Sequence, residues 1–250
     1  MAVARPLTVV TGGGRGIGAA TALSLAAAGH DVVVGYLSDA TAAEQVVASV
    51  QAAGAQAVAV RGDVAEERDV ERLFEAACEL GTITGLVNNA GLTAHLGDLA
   101  DTPVAVIRRV VEVNLMGALL CARRAVLAMS STHGGQGGAI VNVSSVAAST
   151  GSPHEYVHYA SAKAGLEALT VGLSKEVAGQ GVRVNAVAPG VVRTGIHADA
   201  GDPDRAERIA QRIPLGRAGD VGEIAPAIAW LLSEESSYVT GATLRVAGGL

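Results

Sequence analysis

Only two cysteines, Cys78 and Cys121, occur in 250 residues. They lie far apart in separate helix-like stretches, so neither a disulfide framework nor a cysteine metal site is expected, and a reduced, cytoplasmic compartment fits. Among the histidines, His95, His133, His154, His158 and His197 show no ligand spacing, and no metal is expected. Aromatic residues make up 2% of the chain, with one Phe and one Trp, which leaves no evident aromatic cage for a planar ligand. Positive charge is not in excess: the formal net charge of −6 argues against nucleic acid or an anionic membrane as partner. No apolar run approaches the ~20 residues of a membrane span, and the first ten residues carry no signal-peptide pattern. Small-molecule chemistry is the expectation that survives.

Half of the residues are hydrophobic, enough for a sizeable core. Short β-branched runs near 7–10, 31–34, 57–60, 85–87, 139–143, 183–187 and 243–246 alternate with alanine-rich, helix-period stretches near 17–28, 42–53, 69–80, 104–129, 156–178 and 221–232. Such alternation predicts an α/β fold, a Rossmann-type doubly wound parallel sheet of about seven strands with helices on both faces. No linker or charge run divides the chain, so residues 1–250 read as a single domain. Two segments break the pattern. Residues 133–138 read as a solvated turn, and residues 189–214 as either a lid or an ordinary surface excursion.

Tyr159 and Lys163 stand four residues apart, one above the other on a helix face. A phenol of pKa about 10 exchanges protons poorly at neutrality. An ammonium at about 4 Å would favour the phenolate by ~4 kcal/mol at an effective dielectric of ~20, but by only ~1 kcal/mol in bulk water. The pair therefore asks for a partly desolvated cleft, where Tyr159 would act as an acid.

Directly after the first strand, Thr11-Gly12-Gly13-Gly14-Arg15-Gly16-Ile17-Gly18 runs into a helix. Glycines permit a tight turn and close backbone approach to a pyrophosphate, and the helix N-terminus adds partial positive charge. The second strand ends Gly35-Tyr36-Leu37-Ser38, with no acid in the place where one binds a ribose 2′-hydroxyl. Arg15 and Ser38 would instead accept a 2′-phosphate, so NADP (NADPH) is favoured over NAD, although Asp39 lies close and a solvent-facing Arg15 is the lesser alternative.

The set Thr11–Gly18, Asn88-Asn89-Ala90-Gly91, Asn114, Ser144-Ser145, Tyr159-x-x-x-Lys163 and Pro189-Gly190 resembles the short-chain dehydrogenase/reductase family over essentially the whole chain. The wording from Gly151 to Tyr159 is similar to members of the glucose-dehydrogenase and 3-oxoacyl-ACP-reductase type. The resemblance implies hydride transfer between a nicotinamide and a carbonyl or secondary alcohol. It implies Tyr159 as general acid/base, Lys163 as the group lowering its pKa and binding the nicotinamide ribose, Ser145 as hydrogen-bond donor to the substrate oxygen, and Asn114 as holder of a relay water. Ser145 lies one position further from Tyr159 than is usual in the family, and Ser144 is the fallback.

For the cofactor, the resemblance implies Gly12, Gly14, Arg15, Gly16, Ile17 and Gly18 at the phosphates, with Ser38 beyond them. Asp63 and Val64 would meet the adenine, Asn89, Ala90 and Gly91 its ribose, and Pro189, Gly190, Val192 and Thr194 the nicotinamide beside Tyr159 and Lys163. It also implies a homotetramer. Two rival readings stand beside this one: a dinucleotide-binding regulator without turnover, and an epimerase or dehydratase of the related extended type. The four intact catalytic positions weigh against the first, and the glycine spacing and chain length against the second.

Overall fold

Valine and isoleucine fill the strands because each strand is covered on both sides, and neighbouring residues point to opposite faces. Val10, Val32, Val34 and Val141 join one core cluster, whereas Val9, Val33, Leu86 and Ile140 join the other. The computed structural model describes residues 5–250; the first four residues, part of the segment read for a leader, lie outside that description. Seven strands form one sheet: β1 (Leu7–Val10), β2 (Asp31–Tyr36), β3 (Ala57–Arg61), β4 (Ile83–Asn88), β5 (Gly138–Val143), β6 (Val182–Pro189) and β7 (Thr243–Val246). Their order is β3-β2-β1-β4-β5-β6-β7, and every adjacent pair is parallel. The chain reverses direction across the sheet between β1 and β4, which opens a crevice at their carboxyl ends.

The helices are α1 (Gly16–Ala27), α2 (Ala40–Ala52), α3 (Glu67–Leu80), α4 (Val104–Val111), α5 (Gly117–Met129), α6 (Ala147–Thr150), α7 (Val157–Val177), α8 (Ile196–Asp199), α9 (Arg205–Ala210) and α10 (Val221–Leu232). The stretch 104–129, read as one helix, is broken: Glu112–Met116 between α4 and α5 is a π-helical turn. Such turns insert one residue into the ladder and recur at functional sites. Residues 189–214 hold the short α8 and α9, and α9 contributes Ala206 and Ile209 to a small core with Ile213 and Ala218. Among the described residues no helix is long and apolar enough to cross a membrane.

Candidate active site

A cleft of about 1170 Å³ opens at the carboxyl ends of the strands, with the glycine loop at one end and Tyr156 and Arg205 at the other. Gly12 (φ 63°) and Gly16 (φ 56°) adopt left-handed backbone conformations that other residues rarely take. A Cβ on Gly18 would lie 2.3 Å from the Gly12 carbonyl oxygen, so α1 can seat against the loop only without a side chain there. The loop is tied to β4: the amides of Asn89 and Ala90 both donate to Thr11 Oγ1 at 3.0 Å, and Asn89 Nδ2 donates to the Thr11 and Gly12 carbonyls at 2.9 and 3.0 Å. Asn89 thus anchors the loop with its side chain. Asn88 ties strands together, donating to Asn142 Oδ1 on β5 at 2.9 Å.

No side chain caps the start of α1, which leaves its first amides open towards the cleft. Uncapped amides, a glycine cradle and a cleft of this volume fit a dinucleotide. At the far end of β2, Asp39 is engaged as the α2 N-cap, accepting from the Ala42 amide at 2.9 Å. Arg61, which no sequence motif marks, donates to the Leu37 carbonyl at 3.1 Å and so brings a cation to that strand end. Arg15 reaches across the cleft and pairs with Asp199 at 2.5 Å. Asp63 and Val64 line the cleft, and Asp63 is held by Arg109 at 2.6 Å and by the Ala65 amide at 3.0 Å. A carboxylate has further lone pairs, so an adenine amino group would share Asp63 with Arg109.

Tyr159 and Lys163 lie on α7, both buried, at 8% and 3% exposure. The Lys163 ammonium sits over the tyrosine ring, 5.6 Å from its centroid, and donates to the Val143 carbonyl at 2.8 Å. Burial pushes Lys163 down to about 8. It pushes the Tyr159 hydroxyl well above the usual phenol range, reinforced by Tyr156 and opposed by a hydrogen bond with Ser145 and by the field of Arg205. The expected lowering by Lys163 is therefore not seen in the protein without cofactor, where burial dominates the Tyr159 hydroxyl and the ammonium sits over the ring rather than at the oxygen.

Both candidate serines border the cleft, but their hydroxyls differ: buried Ser144 donates to Glu167 Oε1 on α7 at 2.8 Å, whereas Ser145 hydrogen-bonds Tyr159. The longer interval between Ser145 and Tyr159 passes through α6 and a loop with positive φ at Gly151, Ser152 and His154. Asn114 lies on the π-helical turn and donates to the Leu92 and Val110 carbonyls at 2.8 and 2.9 Å. Its Oδ1 is buried with no protein partner. A Cβ on Gly91 would lie 2.7 Å from that oxygen and 3.5 Å from Lys163 Nζ, so the glycine keeps a gap open between them. On the opposite wall stand Pro189, Gly190, Val192 and Thr194, with His197 Nε2 3.0 Å from the Val192 carbonyl oxygen.

The structure therefore brings the sequence-derived residues to one cleft, apart from Gly18, which seats α1 against the loop, and Asn114, which is buried next to Gly91; it adds Arg109, Asp199 and Arg205 to the lining and Arg61 beside it, none of which carries a local motif. Residues 12–250 match the family model described as enoyl-(acyl carrier protein) reductase. The chain is 46% identical to the uncharacterized oxidoreductase YgfF of Escherichia coli, covering 97% of this chain and 99% of that protein. It is 39% identical to a 3-oxoacyl-[acyl-carrier-protein] reductase of Synechocystis, covering 100% and 98%. The crystal structure of a dehydrogenase/reductase from Sinorhizobium meliloti superposes with a TM-score of 0.89 at 36% identity, over 99% of this chain and 95% of that one.

Proposed function

Since the chain belongs to the short-chain dehydrogenase/reductase family and is an NAD(P)-dependent enzyme, we propose that it is an NADP-preferring oxidoreductase that interconverts a carbonyl compound and a secondary alcohol. The observation that carries this reading is that Tyr159, Lys163 and Ser145 line the cleft that starts at the glycine loop, with Asn114 Oδ1 buried next to Gly91 on its wall. A bound nicotinamide supplies or accepts the hydride, and brings positive charge to the site when oxidised.

In reduction, Tyr159 donates its proton to the substrate oxygen, while the Ser145 hydroxyl hydrogen-bonds the same oxygen and stabilises charge developing there. In the reverse direction Tyr159 takes the proton back. Lys163, buried and cationic below pH 8, favours the charged form of its neighbours and hydrogen-bonds the nicotinamide ribose. Asn114 Oδ1, without a protein partner beside the gap at Gly91, holds a water that passes protons onward from Lys163.

Preference for a 2′-phosphate rests on Ser38 at the cleft, Arg61 close by, Asp39 engaged as a helix cap, and Arg15, whose guanidinium keeps N–H donors beyond the one given to Asp199. Gly12, Gly14, Gly16, Ile17 and Gly18 take the pyrophosphate, Asp63, Val64, Asn89, Ala90 and Gly91 the adenosine, and Pro189, Gly190, Val192 and Thr194 the carboxamide side. We place the enzyme in the cytoplasm as a homotetramer, which the exposed apolar residues Val104, Met116 and Val171 and the exposed edge strand β7 support. Initial rates with NADPH and NADH across a panel of ketones, aldehydes and acyl thioesters, measured beside Tyr159→Phe, test the reading. Turnover faster with NADPH and absent in the variant is expected; a wild-type rate no greater than the variant's on every compound would favour a binding regulator.

A further inference from the structure

Arg205, the first residue of α9, is a charged side chain only 5% exposed at the mouth of the cleft. Burying a guanidinium costs several kcal/mol unless partners compensate, so its surroundings reveal what it serves. Its Nη2 donates to Glu155 Oε2, fifty positions away along the chain. The guanidinium carbon lies 5.1 Å from the Tyr156 ring centroid, over the ring face. Tyr156 in turn meets Tyr159 edge-on, with centroids 5.4 Å apart and planes at 86°. Arg205 Nε is buried without a partner. Nothing in the hydride chemistry described above uses this stack.

We propose that Arg205 is a positioning residue for Tyr159: the excursion over residues 189–214 delivers a cation onto Tyr156, the ring that packs edge-on against the proton donor. The inference rests on the reading of Tyr159 as acid/base. Through a desolvated stack the cation acts at low effective dielectric, and its field lowers the proton affinity of the Tyr159 hydroxyl against the opposing effects of burial and Tyr156. The other groups around the hydroxyl come from separate elements. Lys163 and His158 share its helix, with His158 Nε2 3.1 Å from the Thr93 carbonyl oxygen. Ser145 follows β5, Asn114 stands on the π-helical turn, Glu155 precedes α7, and His197 on the excursion is itself held below its ordinary value by burial and by Arg205. From the excursion, Arg205 meets both Tyr156 and Glu155.

Oxidation of a secondary alcohol with NADP⁺ requires Tyr159 as base, so its rate falls below the tyrosine's apparent pKa. The test is the pH profile of kcat/KM in that direction for wild type, Arg205→Met, Arg205→Lys and Glu155→Gln, with Tyr159→Phe as control and dinucleotide affinity read by fluorescence. In Arg205→Met the acid limb moves up by about one pH unit and kcat at neutral pH falls about tenfold, while dinucleotide affinity stays within about twofold. Arg205→Lys holds the limb in place. Glu155→Gln leaves the cation unneutralised and moves the limb down, a reversal that a purely structural ion pair would not produce. If Arg205→Met does not fold, the other two profiles decide. A fixed limb in all variants, or Met and Gln shifts of the same sign, would overturn the inference while leaving Tyr159 as acid/base intact. A wild type that oxidises no alcohol and reduces no carbonyl would remove the reading beneath it as well.

Discussion

Lys163 shows how a functional residue can work against stability. Its value in the fold lies at about 8, against 10.5 when free. A base held below its unfolded value binds fewer protons in the native state between those two points. Its destabilising contribution is therefore complete below pH 8 and is relieved as pH rises from about 8 to 10.5, with a full size on the order of 3 kcal/mol. Lys163→Met, which removes the buried charge and the bond to the Val143 carbonyl together, is expected to melt no lower than wild type at pH 7 while turnover falls at least ~100-fold. Calorimetry at pH 7 and pH 10 checks this, since the variant's relative advantage should shrink at the higher pH. A clear loss of stability at pH 7 would mean that the carbonyl bond outweighs the burial cost. At this scale the motif-borne residues were legible in the sequence. Arg205 was not, because its partner Glu155 lies fifty positions away and no periodicity links them.

Among the elements, the helix between β4 and β5 departs most from its sequence pattern. Residues 104–129 have continuous apolar periodicity, yet the π-helical turn at Glu112–Met116 interrupts them and seats Asn114. The cause is tertiary. Asn114 Nδ2 bonds the Leu92 carbonyl at 2.8 Å, and a Cβ on Gly117 would come within 2.7 Å of Val64 Cγ2, so the helix is shaped by what it lies against. Helical periodicity does not encode such contacts. The parallel sheet covered on both faces, by contrast, follows from the β-α-β alternation, because parallel strands need crossovers. The gap beside the π-helical turn carries its own prediction. Gly91→Ala would put a methyl 2.7 Å from Asn114 Oδ1, and kcat should fall about tenfold or more with a stability loss near 1–2 kcal/mol. Solvent isotope effects on kcat, larger in the variant than in wild type, would mark a slowed proton path. An unchanged kcat would show that the gap carries no proton.

For the molecule as a whole, the outward faces matter as much as the cleft. Leu119 on α5 is 38% exposed and Val171 on α7 is 42% exposed, on helices that flank the site. If the two side chains belong to one patch, that patch is where a partner copy would pack. The double substitution Leu119→Glu, Val171→Glu is expected to lower the oligomeric state measured by light scattering and to cost several degrees of melting temperature, with the fold retained by circular dichroism. A monomer already in the wild type would contradict the proposed tetramer. The fate of a hydride label tests the central claim most directly. With NADPH deuterated at the transferring position and a ketone the enzyme accepts, mass spectrometry should find deuterium on the carbinol carbon with wild type, and none with Tyr159→Phe although that variant still binds the dinucleotide. An unlabelled product from the wild type, or equal labelling by both proteins, would contradict the account.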